Sequence, residues 1–295
     1  MSCNVAEFSR AFQKHTKGAS LTRVRASSTW RALARFAKEK KMILSPDKMT
    51  SKQLMRFVEY RIEAGISARS IQNEVSHIRR SLEGSGRDLG DLKDKTNNWS
   101  GHRLKVPAGS RIGGKAPADK SAVDLVSRDD IRAAFALQAA IGLRMREAIQ
   151  AGPSLRMWER ELVHASSLGR GAFLRVTEGT KGGRPRSVWL APEQIPGVLK
   201  AVKEASGQSV NGRLIKAQSL AAAVRACGRS ALEAGFETHG LRRAWAVEQF
   251  TRYVQEGQDK TQALKLLSND LGHGDGRGRW VMNNYLLGAL NDREG

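Results

Sequence analysis

Residues 239–242 read His-Gly-Leu-Arg, and this stretch gives the first indication of both fold and chemistry. His239 and Arg242 are three residues apart, so in a helix their side chains lie on one face. Thr238 just before them is a suitable N-cap, which places the pair in the first turn of a helix. Free backbone N–H groups in a first turn favour a phosphate. By itself, however, the pair is more often an ordinary exposed helix face.

Four more elements extend this pattern along the chain. They are Gly142-Leu143-Arg144 with Glu147, Thr180-Lys181-Gly182 in a predicted hairpin turn, Leu271-Gly272-His273, and Tyr285. In this order and at these spacings, the five elements resemble the catalytic series of the tyrosine recombinases, the family of the phage-type integrases. The resemblance covers most of residues 127–285. It implies a mainly α fold with a small β-hairpin or sheet, an α+β catalytic domain preceded by a helical core-binding domain.

The resemblance implies an enzyme, a site-specific DNA recombinase or integrase of a phage or other mobile element. Tyr285 would attack the scissile phosphorus, form a 3′-phosphotyrosyl bond and free a 5′-hydroxyl group. Arg144 and Arg242 match the phosphate clamp of the family. Guanidinium groups suit this role because they bind phosphate oxygens in a bidentate manner and stay protonated. The phosphotyrosyl link keeps the bond energy, so the resemblance implies no ATP, metal or other cofactor.

Four more residues match supporting roles in the family. Lys181 matches the turn lysine that protonates the leaving 5′-oxygen, and His239 matches the residue that assists loss of the tyrosine proton. His273 matches a residue that hydrogen-bonds the scissile phosphate, and Glu147 one that orients an arginine. An unperturbed tyrosine has a pKa of about 10, so Tyr285 must lose its proton as it attacks.

Other basic residues compete for these positions or are expected to contact DNA elsewhere. Arg146 competes with Arg144 for the clamp, although the Gly-Leu-Arg register favours Arg144. Arg184 and Arg186 compete with Lys181, because many basic hairpins only touch backbone phosphates. The arginines expected to contact DNA are Arg69, Arg79, Arg80, Arg184, Arg186 and Arg243.

Two features depart from the family pattern. Twelve residues separate His273 from Tyr285, about one helical turn more than is usual. The additional segment Asp275–Gly278 could form a mobile loop that delivers Tyr285, or delivery could be regulated or impaired. Ten residues follow Tyr285, so subunit exchange is expected to use a short element such as Leu286–Leu290, or another surface.

Composition and charge are consistent with a polyanion-binding protein. The 295 residues carry 50 basic and 29 acidic side chains, and the first 120 residues alone hold 25 basic and 11 acidic ones. Such an excess favours binding to nucleic acid, although ribosomal RNA or anionic lipid would suit the charge as well. The two cysteines, Cys3 and Cys227, are widely spaced, and the sequence shows no apolar signal segment. Both features predict that the protein lies in a reducing cytosol, where it would associate with the bacterial nucleoid. No transmembrane segment is expected.

Helical periodicity and a change in composition predict two domains. Residues 1–97 predict a helical, SAM-like DNA core-binding domain, with helices at about Val5–Lys17 and from Ser27 or Ser28 to Lys41. Thr50 with Gln53 predicts a capping box, and Ser67 begins a fourth helix. Residues 98–126 are rich in Gly, Ser, Pro, Lys and Arg and predict a basic linker, which together with the two domains is expected to encircle a duplex.

Residues 127–295 are predicted to form the catalytic domain. Ser127 with Asp130 suggests another capping box. The strand-like runs Ala172–Thr177 and Arg184–Leu190 predict a β-hairpin. The helices predicted after it are Pro192–Ala205, Leu220–Ala234, His239–Val254, Lys260–Leu271 and roughly Arg279–Leu290.

Three functions remain open from the sequence. A recombinase would act as a homo-tetramer on synapsed double-stranded DNA and be a monomer or dimer when free. A type IB topoisomerase shares the tyrosine and the arginine clamp but relaxes DNA alone. A catalytically silent DNA-binding accessory protein could use the same fold. The helical front domain favours the recombinase over the topoisomerase, and the intact series of five elements disfavours the silent protein.

Overall fold

The computed structural model describes residues 3–16, 20–87 and 116–291. The chain divides into two compact units, one up to residue 110 and one from residue 111 onward. Of the predicted linker 98–126, residues 98–115 lie outside the described residues. Residues 116–126 belong to the second unit, where Val123 and Val126 are buried in its core.

The first unit is helical throughout its described residues. Its helices are α1 (Val5–His15), α2 (Ser20–Glu39), α3 (Ser51–Glu63) and α4 (Ala68–Gly84). They surround an aromatic core formed by Phe8, Phe12, Trp30, Phe36 and Phe57. The predicted capping box of Thr50 and Gln53 is confirmed, as is the N-cap at Ser67. Helix α2 begins several residues before Ser27, because neither Gly nor Pro interrupts 20–39.

The second unit is also mainly helical and contains one two-stranded sheet. After a 3₁₀ turn at Lys120–Leu125, its elements are α5 (Asp129–Ile141), α6 (Met145–Ile149), α7 (Gly152–Ser167), β1 (Ala172–Val176), β2 (Arg186–Leu190), α8 (Ile195–Gln208), α9 (Leu220–Glu233), α10 (Thr238–Gln255), α11 (Lys260–Asp270), α12 (Gly278–Val281), a π-helical turn (Met282–Leu286) and α13 (Leu287–Asn291). Helices α5, α7 and α8 pack together, and α10 packs against α5 and α11.

The predicted β-hairpin is confirmed. Strands β1 and β2 are antiparallel, and Phe173 is opposite Trp189. Leu174 and Val188 point into the core, whereas Phe173 on the other face is 65% exposed. This alternation fixes which hairpin side chains reach the interior, because neighbouring residues of a strand point to opposite faces.

Two local predictions for this unit are wrong, and one helix was not predicted. Helix α5 has no side-chain N-cap, and Asp130 instead accepts hydrogen bonds from Arg128 and from the backbone N–H of Lys216. Thr238 is the first residue of α10 rather than its N-cap, which is Glu237. Helix α7 was not predicted at all, although Leu155, Trp158, Leu162 and Ala165 are buried at helical spacing.

No helix within the described ranges has both the length and the apolar character needed to cross a membrane.

Candidate active site

A glycine turn places Arg144 at the edge of an open cleft in the second unit. Gly142 ends α5 with a φ of +66°, and a Cβ atom there would lie 2.3 Å from the ring of Trp245. The turn brings Arg144 to the N-cap of α6, where its backbone N–H donates to Glu147 Oε2 at 2.7 Å. Its Nη1 donates to Glu147 Oε1 at 2.6 Å and its Nη2 to the carbonyl of Leu271 at 2.9 Å.

Glu147 is a buried carboxylate surrounded by three arginines. Besides Arg144, it accepts a hydrogen bond from Arg186 Nη2 at 2.8 Å, and Arg242 Nη1 lies 3.8 Å away. Burial alone would raise the pKa of Glu147, but the charges of Arg186, Arg242 and Arg144 lower it to about 2. The carboxylate is therefore ionised at neutral pH and holds the arginines in place, as predicted from sequence.

Arg242 is completely buried in the first turn of α10. Its Nη1 donates to the carbonyl of Gly142, its Nη2 to the carbonyl of Leu271 at 2.5 Å, and its Nε to the Tyr285 hydroxyl at 3.2 Å. Burial lowers the pKa of Arg242 to about 10, so the guanidinium stays charged at neutral pH. The carbonyl of Leu271 accepts from both Arg144 and Arg242, and it fixes the spacing of the two predicted clamp residues.

Tyr285 lies in the π-helical turn and is only 2% exposed. In addition to Arg242, its hydroxyl is 3.3 Å from His273 Nε2. Its ring centroid is 5.4 Å from that of His239 and 5.9 Å from that of Trp280. Despite the long interval after His273, the tyrosine lies inside the arginine and histidine cluster.

His239 and His273 both lie beside positive charge. Desolvation, and then the charge of Arg242, lower the pKa of His239 to about 4 and that of His273 to about 3. Part of His239 remains exposed to solvent. The ring of His273 packs against Trp280, with the centroids 4.4 Å apart. Both imidazoles are neutral at pH 7, so each has one nitrogen able to accept a proton.

These two histidines make the stability of the second unit depend on pH. The unfolded state binds protons below about 6.5, whereas the folded histidines stay neutral to about 4 and 3. We therefore expect the free energy of unfolding to fall as the pH is lowered from about 6.5 to 4.5, above the range where Glu147 would add its own loss. The free energy of unfolding, measured by urea titration at several pH values in this range, should change less steeply with pH in His273→Asn than in the wild type. An equal slope in both proteins would contradict the assignment to His273.

Arg186 was predicted to contact DNA, and the structure shows that this is wrong. Its side chain is 4% exposed; Nη2 donates to Glu147 and Nη1 donates to the carbonyl of Asp270. The strand register explains the position, because Arg186 points to the same face as buried Val188 and Leu190. Arg186 is therefore a buried arginine beneath the predicted clamp, and its spacing from Val188 on β2 was the available signal for it.

Arg243 is likewise not a surface contact. Its Nε donates to the carbonyl of Ala116 at 3.1 Å and its Nη2 to Glu237 at 3.1 Å, with the side chain 7% exposed. It holds the start of the second unit against α10. Arg243 was expected to contact DNA, but in this structure it packs within the second unit.

Lys181 and Arg184 lie in the exposed turn between the strands. The charge of Lys181 contributes to the lowered pKa of His273, and both residues line one cleft together with Arg144. Lys181 is therefore beside the cluster but does not bond to it in this structure. In the first unit, Arg69 and Arg80 are exposed on α4 and Arg79 is half-buried, and their contact with DNA stays a prediction.

Among the residues that the structure describes, no group of three His, Cys, Asp or Glu side chains is arranged to hold a metal ion. The cluster instead offers three guanidiniums, two neutral imidazoles and a phenol. Such a set binds an anion and moves a proton.

Comparison with known proteins gives one family and several structures. A protein-family model described as Integrase matches residues 73–248, more than half of the chain. The chain is similar to the XerH site-specific recombinase bound to palindromic difH substrate, in a post-cleavage complex, with 17% identity over 93% of this chain and 79% of that one and a TM-score of 0.56.

Two further structures show the same fold. The pre-cleavage complex of XerH with difH substrate has 16% identity over 99% of this chain and 85% of that one, with a TM-score of 0.52. The Tn1549 transposon integrase in complex with transposon right end DNA has 13% identity over 98% of each chain, with a TM-score of 0.50. No curated protein matches the sequence.

Proposed function

Since the chain belongs to the integrase family of tyrosine recombinases, we propose that it cuts and rejoins DNA at specific sites through a 3′-phosphotyrosyl intermediate on Tyr285. One observation carries this proposal, the position of the Tyr285 hydroxyl 3.2 Å from Arg242 Nε and 3.3 Å from His273 Nε2. A nucleophile, a phosphate-binding cation and a proton acceptor thus meet at one point. The DNA complexes of XerH and the Tn1549 integrase support DNA as the substrate.

The reaction begins when a scissile phosphate enters the cluster. Arg144 and Arg242 bind its non-bridging oxygens, whose negative charge grows in the transition state. The Tyr285 oxygen bonds to phosphorus and the phenolic proton leaves to a neutral imidazole. The bond to the 5′-oxygen breaks, and Lys181 gives that oxygen a proton. The Nε2 atom of His273, when unprotonated, is within hydrogen-bond range of the Tyr285 hydroxyl. His239 contacts Tyr285 through its ring. We therefore assign the first proton acceptance to His273 and keep His239 as its neighbour in the relay.

Rejoining reverses these steps. A 5′-hydroxyl attacks the phosphotyrosyl phosphorus, Tyr285 leaves, and it takes back its proton. The number of phosphodiester bonds is unchanged, so the cycle needs neither ATP nor a metal ion. Exchange between two DNA sites requires four such cleavages, which is why we propose a homo-tetramer on synapsed sites, acting in the cytoplasm on nucleoid DNA. The strongly basic first 120 residues, including Arg69 and Arg80, would supply most of the electrostatic attraction to the DNA backbone.

Covalent trapping tests the proposed function. The protein is incubated with nicked duplexes from its host element, in which the short cleaved fragment diffuses away, and the products are separated on a denaturing gel. We expect a protein–DNA adduct at one position in the sequence. Binding without any adduct would support the silent DNA-binding protein instead. Relaxation of supercoiled plasmid at many sequences, without recombinants, would support the topoisomerase.

Lys181→Ala tests the role of the hairpin turn. If Lys181 protonates the leaving 5′-oxygen, its loss should slow cleavage about 100- to 10,000-fold. A substrate with sulfur in place of that oxygen should restore most of the rate, because a thiol with a pKa of about 8.5 leaves without protonation. Lys200→Ala, an exposed lysine on α8 that contacts Glu204, is the matched control and should cleave both substrates normally. Equal defects of Lys181→Ala on both substrates would exclude the general-acid role.

A further inference from the structure

A large open cleft of about 1070 Å³ continues outward from the candidate active site. It lies between the outer face of the hairpin, the end of α10, helix α11 and the glycine-rich turn after α11. Arg144, Lys181 and His273 line one part of it, and Phe173 and Trp189 line another. This volume is at the upper end of what small-molecule sites enclose, so the cleft accommodates at least a nucleotide.

The aromatic part of the cleft has no counterpart in the proposed chemistry. Phe173 and Trp189 form a cross-strand pair with ring centroids 4.7 Å apart, and Trp189 is half-buried against the core. Phe173 remains 65% exposed. Exposed aromatic faces beside a basic surface are the usual stacking platforms for unpaired bases.

The charge of the cleft suits a phosphate chain. Lys181, Arg184 and Arg277 contribute exposed positive charge to its lining. The two acidic residues of the lining are bound to protein partners. Asp270 is buried and accepts from Tyr253 Oη at 2.5 Å, and Glu256 accepts from Arg252 at 3.4 Å. The cleft therefore attracts an anionic ligand despite these carboxylates.

The position of Lys181 indicates which strand would enter. In the proposed reaction, Lys181 gives its proton to the 5′-oxygen that leaves phosphorus. The nucleotide that carries this oxygen is therefore next to the hairpin turn when the bond breaks. Because Lys181 and the aromatic pair line the same cleft, the freed end reaches Phe173 and Trp189 without leaving the cleft.

We propose that this cleft holds the freed 5′-hydroxyl end of the cut strand as unpaired nucleotides, with a base stacked on Phe173 and Trp189 and its phosphates near Lys181, Arg184 and Arg277. This inference rests on the proposed function. A held end stays at high effective concentration beside the phosphotyrosyl bond. It therefore rejoins its own strand until the cleft releases it to a partner site.

The test uses a duplex whose nick lies far enough from the cut that the freed strand stays paired to the opposite strand, with the fluorescent base 2-aminopurine at the first nucleotide on the 5′-hydroxyl side. After the adduct has formed, stacking should quench the fluorescence in the wild type. Phe173→Ala should form the adduct at the wild-type rate, lose the quenching and release the freed strand about 5- to 100-fold faster, as expected for loss of one base stack. Leu232→Ala, 79% exposed on α9, is the matched control and should behave as wild type.

The outcomes separate this inference from the proposed function. Absence of any adduct from the wild type would overturn the function itself, and with it the inference. A normal adduct with equal fluorescence in the wild type and Phe173→Ala would overturn only the inference. Loss of tetramer in Phe173→Ala, with unchanged fluorescence, would also overturn it and would assign the aromatic pair to a protein partner. Circular dichroism of each variant confirms that the hairpin remains folded.

Discussion

Replacing Tyr285 with phenylalanine is expected to abolish the covalent protein–DNA adduct and to reduce recombination by about 10,000-fold or more. The substitution removes the only atom that bonds to phosphorus in the proposed reaction. It leaves the ring in its buried position, where the hydroxyl contacts are those with Arg242 and His273. Folding and DNA binding should therefore persist. A denaturing gel of nicked-duplex reactions measures the adduct, and a gel-shift titration measures DNA binding.

A second tyrosine supplies the control for this experiment. Tyr60 lies in the first unit, and its hydroxyl donates to Glu39 at 2.9 Å. Tyr60→Phe removes a phenolic hydroxyl without touching the cluster, so it should form the adduct at the wild-type rate. A persistent adduct in Tyr285→Phe would show that another residue is the nucleophile, and peptide mapping of that adduct would identify it.

Arg242→Lys is expected to slow cleavage about 1,000-fold while DNA binding changes little. Lysine keeps the positive charge but not the planar fork that bonds two phosphate oxygens. It also cannot reach the carbonyls of Gly142 and Leu271 together, so at least one buried acceptor loses its donor. We expect a further loss of about 1–3 kcal/mol in the free energy of unfolding. Single-turnover cleavage and urea titration measure the two effects separately.

Arg243→Lys is the matched control for this substitution. Arg243 is the next residue, equally embedded, and bonded to Glu237 and the carbonyl of Ala116 outside the cluster. It should lose stability in a similar way but cleave at nearly the wild-type rate once folded. Equal cleavage rates for Arg242→Lys and Arg243→Lys would remove Arg242 from the phosphate clamp.

The parts of the site that were predictable from sequence are those with a local signal. The hairpin was predicted because two short strand-like runs lie on either side of the turn Lys181-Gly182-Gly183. The first-turn position of His239 and Arg242 was predicted from a cap beside them, and it holds although the N-cap is Glu237 rather than Thr238. The long interval before Tyr285 could not be judged in this way. Its length gives no information on whether the chain folds back on the cluster, which depends on contacts with Arg242 and His273.

For Arg186, the strand pattern and the charge pattern of the sequence favoured different positions. Its position on β2 relative to Val188 predicted an inward side chain, yet its proximity to Lys181 suggested a DNA contact. A buried arginine requires acceptors, and those come from Glu147 and the carbonyl of Asp270, residues distant in sequence. Helix α7 has a periodic set of apolar residues, but it contains none of the five elements that resemble the catalytic series.

The π-helical turn at Met282–Leu286 has a consequence for how the chain tolerates insertions and deletions. A π turn accommodates one residue more than an α-helical turn, and the side-chain amide of Asn284 donates from it to the carbonyl of Trp280 in α12 at 2.7 Å. Deleting one residue between Val281 and Tyr285 would allow a regular α-helix. Because the π turn already absorbs that residue, the deletion would keep Tyr285 on the side of the helix that faces Arg242. Loss of a single codon here would therefore leave the nucleophile at the phosphate site while the rest of the chain stays the same.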